Sequence, residues 1–99
     1  MSVAEEEGLD ALVERAVSGD RQALDDLLSA IQPRVRQICG RMLTFSEDAE
    51  EATQDALLQV ATKIHTFRGQ SKFTTWLYSV SANSARSTYR SLKRRAHEQ

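Results

Sequence analysis

The chain has 99 residues, 40% of them apolar and 27% charged, enough for one domain around one modest core rather than a disordered segment. One proline and four glycines are too few for a turn-rich β protein, and no apolar run approaches the ~18 residues of a membrane span. The net charge of −1 conceals a polarity: residues 1–62 hold 13 acidic and 5 basic side chains, whereas residues 63–99 hold one acidic and 8 basic. Such a division points to two partners, one of them a polyanion, but charge alone fits a solvated basic tail equally well.

Residues 1–8 read as a disordered polar tail. Their glutamates stand where a signal peptide would be basic, so the protein is expected in the cytoplasm. Leu9, Leu12, Val13, Ala16 and Val17 recur at helical spacing and predict a first helix from about Leu9 to Ser18. Gly19 can take the left-handed stop, and Asp20 can cap the next helix. That second segment places Ala23, Leu24, Leu27, Leu28, Ile31, Val35, Ile38, Cys39, Met42 and Leu43 on one side. Pro33 lies in its middle and is expected to kink or split it. Cys39 has no second cysteine to pair with and reads as core beside Ile38.

Ser46 is the expected N-cap of a third helix reaching to about Ile64, with Glu47, Asp48, Glu50 and Glu51 in its first turns, where the helix dipole favours anions. Its apolar stripe is Ala49, Ala52, Ala56, Val60 and Ile64, with Leu57 beside it. Its other face shows Asp48, Glu51, Asp55, Leu58 and Thr62, with Gln54 nearby. A loop, His65 to Gln70, precedes Ser71, the expected cap of a last helix from Lys72 to about Arg95. Phe73, Trp76, Leu77 and Val80 supply its core stripe, the helix turns polar and basic beyond Val80, and residues 96–99 form a tail. With no strand pattern and no repeat, the expected fold is all-α: a compact bundle of three to four helices, with Trp76 buried between the last two long ones.

Catalytic signals are poor. His65 and His97 have no partner at metal-ligand spacing, and there is neither a glycine-rich phosphate loop nor a nucleophile motif. No cofactor, no metal and no enzymatic activity are expected. The segment from Phe67 to Arg95 differs. It interleaves Phe67, Arg68, Lys72, Phe73, Trp76, Tyr78, Arg86, Tyr89, Arg90, Lys93, Arg94 and Arg95. Cations for a phosphate backbone and π faces for unstacked bases are what single-stranded nucleic acid requires. Phe73 and Trp76 read as core. Asn83 falls two turns after Trp76 near the same face, where an amide can read a base edge, but spacing alone leaves its role and that of the loop open.

The order Asp48-Ala49-Glu50-Glu51-Ala52-Thr53-Gln54-Asp55, then Phe67-Arg68-Gly69-Gln70-Ser71-Lys72-Phe73-Thr74-Thr75-Trp76-Leu77-Tyr78, then Asn83 and a basic run, resembles conserved region 2 of the extracytoplasmic-function sigma factors over residues 9–95. The resemblance implies that Asp48, Glu51, Gln54, Asp55 and Leu58 grip the clamp helices of the polymerase β′ subunit. It implies that the loop Phe67, Arg68, Gly69, Gln70, Ser71 and Lys72 receives a base flipped from the non-template strand of the promoter minus-ten element. Asn83 would stand beside that pocket, and Arg86, Arg90, Lys93, Arg94 and Arg95 would hold phosphates. An anti-sigma factor is a further partner the family commonly has; no membrane is expected, because no apolar run is long enough to span one. The family's C-terminal domain, region 4, has no counterpart up to Gln99, so an isolated domain is expected.

The chain departs from the family where Leu57 and Ala61 replace larger aromatics and where Ser79 and Ala82 replace bases. The latter pair weakens the expectation of strong duplex binding by this domain alone. Two other readings compete. One is a helical protein-interaction module whose basic face is incidental, which predicts no sequence preference among oligonucleotides. The other is a helix-turn-helix duplex binder, against which stand the long aromatic-led basic helix and the six-residue loop before it.

Overall fold

The computed structural model describes residues 3–98, so Met1 and Ser2 of the N-terminal tail and Gln99 of the C-terminal one lie outside the described residues. Helices α1 (Val3–Val17), α2 (Arg21–Met42) and α3 (Ser46–Lys63) are followed by a 3-10 turn (Ile64–Thr66) and α4 (Phe73–Glu98). No strand occurs among the described residues, in agreement with the all-α expectation. The first helix starts at Val3 rather than near Leu9, so residues 3–8 are helical and not a tail. Three consecutive glutamates, good helix formers that suit the positive end of the dipole, account for the extension. At the other end α4 runs through Arg95 to Glu98, which removes most of the expected C-terminal tail.

The break between α1 and α2 follows the sequence reading. Gly19 has φ of +100°, a left-handed conformation that glycine takes without steric cost. Gly19 N–H bonds Ala16 O and Asp20 N–H bonds Arg15 O, both at 3.0 Å, which terminates α1 by satisfying its last carbonyls. The Asp20 carboxylate then accepts the Ala23 amide at 3.0 Å and starts α2. Pro33 does not split α2, which is one helix on either side of it.

Two expected caps are not formed. Phe45, not Ser46, occupies the cap position of α3, and Ser46 is already helical. The Ser71 hydroxyl donates to Lys72 O at 3.1 Å instead of accepting from the helix. Lys72 O closes the first turn by accepting from Thr75 and Trp76 N–H at 3.1 Å, so α4 begins one residue later than expected, at Phe73.

Helix α2 packs against α1, α3 and α4, α3 packs on α4, and α1 meets the 3-10 turn. Leu27, Ile31, Val35, Val60 and Leu77 are the largest apolar side chains fully inside. Each contributes about 1.5–3 kcal/mol by leaving water. Cys39 is buried as expected, with its thiol 3.8 Å from Ser81 O. Burial pushes its pKa up. The buried face of α4 does not stop at Val80: Ser81, Ala82, Ser84 and Ala85 are all buried and bring the helix close to its neighbours. Ser81 and Thr53 satisfy their buried hydroxyls on the carbonyls of Leu77 at 2.8 Å and Ala49 at 2.6 Å. Ala82, 1% exposed, is therefore a core position here rather than a vacant place for a base.

Candidate nucleic-acid interface

The face of α3 opposite the core carries Glu51, Gln54, Asp55 and Leu58, all exposed, with Asp48 half-buried at its edge. Leu58 is 60% exposed amid these polar groups, and Phe45, 69% exposed, stands at the α2–α3 corner. Apolar contacts set among carboxylates suit a docking surface with a basic partner. Gln54 is held in place: its Nε2 donates to Glu50 Oε1 at 3.1 Å, and Glu50 pairs with Arg36 of α2. Glu50 stands out in the sequence only as one of the acidic residues that start α3; its pairing with Arg36 joins two helices and no spacing within one of them shows it.

The loop after the 3-10 turn is built by its own side chains. Phe67 is half-buried, edge-on to Phe73 at 5.8 Å and tilted against Trp76 at 5.6 Å. Its ring anchors the loop to the start of α4 and is largely committed there. Trp76 is half-buried, tilted against Phe67 at 5.6 Å and Phe73 at 5.8 Å and packed at the edge of the core, not fully buried between helices as expected. Gly69 has φ of +75°. Around it the Gln70 amide folds back, accepting the Arg68 N–H at 2.8 Å and donating to Thr66 O at 3.4 Å. Gln70, itself exposed, thus helps to hold the loop's shape. What remains open is the backbone near Gly69 with Arg68, Ser71 and Lys72, all exposed. The amides of Phe73 and Thr74, at the positive end of α4, meet no protein acceptor among the described residues.

Three concavities adjoin this region. The first, about 480 Å³, lies between the loop and α1, with Leu9, Val13, Val17, Phe67 and Phe73 as apolar walls and Asp10, Glu14 and Lys72 among its polar lining. The second, about 240 Å³, lies between α3 and α4, where Asn83, Val80, Ser84 and Ser87 face Asp55, Gln59 and Lys63. The third, about 450 Å³, is lined by Met42, Arg86, Tyr89 and Arg90. Asn83 therefore does not share a pocket with the loop. It stands ten residues into α4, about 15 Å along the axis from Phe73. Its Oδ1 accepts from Arg86 Nη1 at 2.6 Å. Because a guanidinium only donates, Asn83 meets it with its oxygen, and its Nδ2 hydrogens have no protein acceptor among the described residues.

Arg86, Arg90, Lys93, Arg94 and Arg95 are exposed along the rest of α4; the first four recur at helical spacing and form a cationic side flanked by Tyr78 and Tyr89, 54% and 52% exposed, whereas Arg95 falls about half a turn round the helix from Arg86. Sequence reasoning gave α1, Gln59, Lys63 and Met42 no part in a site; each enters only through packing between distant segments. Among the described residues no cluster of His, Cys, Asp and Glu could hold a metal ion, and no helix is long and apolar enough to cross a membrane.

An α-helical domain with an acidic face on one helix and a loop-led basic helix beside it is the class these surfaces define. Comparison with known proteins supplies the family. The sigma-70 region 2 profile matches residues 27–95. The chain is 36% identical over 76 residues to the ECF RNA polymerase sigma-E factor of Haemophilus influenzae, covering 77% of this chain and 40% of that protein. It is 33% identical over 75 residues to the RNA polymerase sigma-H factor of Pseudomonas aeruginosa, covering 76% of this chain and 39% of that protein. It therefore spans about two fifths of the length of these relatives. Among solved structures it is similar to an engineered region 2 of sigma-E in an NMR complex with GTAAAA, with a TM-score of 0.78, 29% identity, and coverage of 96% of this chain and 97% of that one. The chain belongs to the sigma-70 region 2 family, in its extracytoplasmic-function branch.

Proposed function

We propose that this chain is the unit of an extracytoplasmic-function sigma factor that docks on core RNA polymerase and holds the opened minus-ten element of a promoter. The observation that carries the reading is the loop–α4 surface: amides without a protein acceptor at a helix start, then Asn83, then exposed cations along one continuous helix. The sigma-E neighbour, which holds GTAAAA, supports it. The α3 face with Glu51, Asp55 and Leu58, backed by Asp48 and the fixed Gln54, docks on the clamp helices of β′. Both partners are cytoplasmic, and the chain works there.

Binding the non-template strand better than the duplex draws the promoter towards its open form. A base leaving the stack costs a few kcal/mol, which loop contacts must offset. The loop cavity, walled by α1, takes that base. Asn83 reads a different nucleotide. The ~15 Å between them corresponds to about four stacked nucleotides at ~3.4 Å each. With Oδ1 engaged by Arg86, Asn83 offers donors and selects base edges that carry acceptors.

The test joins the two surfaces. Core polymerase is expected to raise the affinity of the chain for a minus-ten oligonucleotide, and Asp55→Lys to abolish that gain while leaving the melting temperature unchanged, since Asp55 is exposed. A folded Asp55→Lys protein that binds core polymerase as wild type does would remove α3 as the docking surface.

A further inference from the structure

The cleft formed by Met42, Arg86, Tyr89 and Arg90 belongs neither to the loop nor to the Asn83 groove. Met42 reaches it from the end of α2, the other three from the second half of α4. Its floor is apolar and its walls are guanidinium. Met42 and Tyr89 are 38% and 52% exposed, large apolar groups that the core leaves outside. Lys93 Nζ sits 5.9 Å from the centre of the Tyr89 ring, and Arg90 Nε donates to Arg86 O at 3.4 Å. Arg90 is thereby tied to the backbone of the turn that carries Arg86, whose own guanidinium bonds Asn83, and both line the cleft with most of their donors unused.

We propose that this cleft is a second nucleotide subsite, in which Tyr89 and Met42 stack one nucleobase and Arg86 and Arg90 hold its phosphates. The proposal rests on the reading that α4 carries promoter DNA. An aromatic face, a polarizable thioether and paired guanidiniums are the groups that take a planar base attached to an anion. A protein partner fits less well. The cleft offers only two apolar side chains, far short of the ~800 Å² that each side of a stable protein interface buries. Tyr89 lies 16 residues after Phe73, about 24 Å along α4. At ~3.4 Å per stacked nucleotide the subsite is about seven nucleotides from the loop. Arg86 links it to the Asn83 amide, so the strand runs loop, Asn83, cleft.

The experiment is an abasic scan. A fluorescent single-stranded 12-mer is made with one base deleted at each position in turn, and binding to the 99-residue chain is measured by anisotropy at low salt, where phosphate contacts are strongest. Tyr89→Ala is expected to weaken the intact oligonucleotide roughly five-fold to a hundred-fold, the range for loss of one stacked base. At one abasic position the same substitution is expected to cost nothing, because the base it would stack is already gone. That position should differ from the one at which Asn83→Ala becomes silent. Tyr89→Phe should bind as wild type, and Tyr89→Leu, which keeps bulk without a π face, should behave as Tyr89→Ala does. The exposure of Tyr89 makes all three compatible with the fold, which a melting curve checks. If the unmodified chain binds the 12-mer but Tyr89→Ala and Tyr89→Leu lose the same factor at every abasic position, or lose nothing, the subsite is refuted while the DNA-binding reading stands. If the unmodified chain binds no oligonucleotide, that reading falls and the subsite with it.

Discussion

Phe67→Ala separates the anchoring of the loop from what the loop binds. The ring is half-buried and meets Phe73 at 5.8 Å and Trp76 at 5.6 Å. Truncating a fully buried phenylalanine costs about 3–5 kcal/mol. Half of that, with the aromatic geometry included, is roughly 2 kcal/mol. In a domain of this size 1 kcal/mol moves the melting temperature by about 4–8 °C, so a fall of roughly 8–16 °C is expected in circular dichroism at 222 nm. Phe67→Leu refills most of the volume without the ring contacts and should lose about half as much. Oligonucleotide binding should fall in both, while docking through α3 is unchanged below the transition. A Phe67→Ala protein melting within about 2 °C of wild type would show that the aromatic trio does not hold the loop, and the account of the loop's shape would fail with it.

The other predictions concern single residues. Asn83→Ala should lose about 1–3 kcal/mol of discrimination at one base position, whereas Arg94→Ala should weaken all oligonucleotides alike and flatten the salt dependence. A uniform loss in Asn83→Ala would reduce Asn83 to a backbone contact. The Asp20 carboxyl is held below its ordinary value first by the Ala23 amide and then by Arg15. Its stabilisation is therefore present above the usual aspartate range, near pH 4, and is lost as pH falls through the lower folded value. Asp20→Asn, which caps without ionising, should gain on wild type below about pH 4 in acid titrations of the fold, and a constant gap would remove the charge from the cap. Cys39, buried and with its pKa raised, should resist iodoacetamide in native buffer and react fully in denaturant, as read by mass. Rapid native alkylation would place it outside the core.

What could be read in the sequence was local or periodic. Gly19-Asp20 announces a stop and a cap by residue chemistry alone, and the Ala49, Ala52, Ala56 and Val60 stripe announces which side of α3 is inside. The inner face of α4 beyond Val80 was missed because Ser81, Ala82, Ser84 and Ala85 are small. They pack by close approach and carry almost no hydrophobic signal. Ser46 and Ser71 are residues that often cap, but the turn geometry put Phe45 and Lys72 at the cap positions. The relation of Asn83 to the loop depends on distance as well as face: it lies ten helical residues, about 15 Å, from Phe73 and lines a different concavity. The part of α1 in the loop cavity, and of Met42 in the cleft with Tyr89, depends on contacts between distant segments that no spacing within one element reveals.

The central claim is that the loop and α4 bind opened promoter strand with a preference for its bases. The most direct measurement compares the chain's affinity for the single strand GTAAAA, the hexamer held by the sigma-E neighbour, with that for the same sequence as duplex within a longer hairpin, and then for each single-base replacement. The account predicts tighter binding to the single strand and at least one position where replacement costs about tenfold or more, within the 1–3 kcal/mol of a specific base contact. Equal affinity for strand and duplex, with every replacement neutral, would contradict it and leave a helical interaction module whose basic face is incidental.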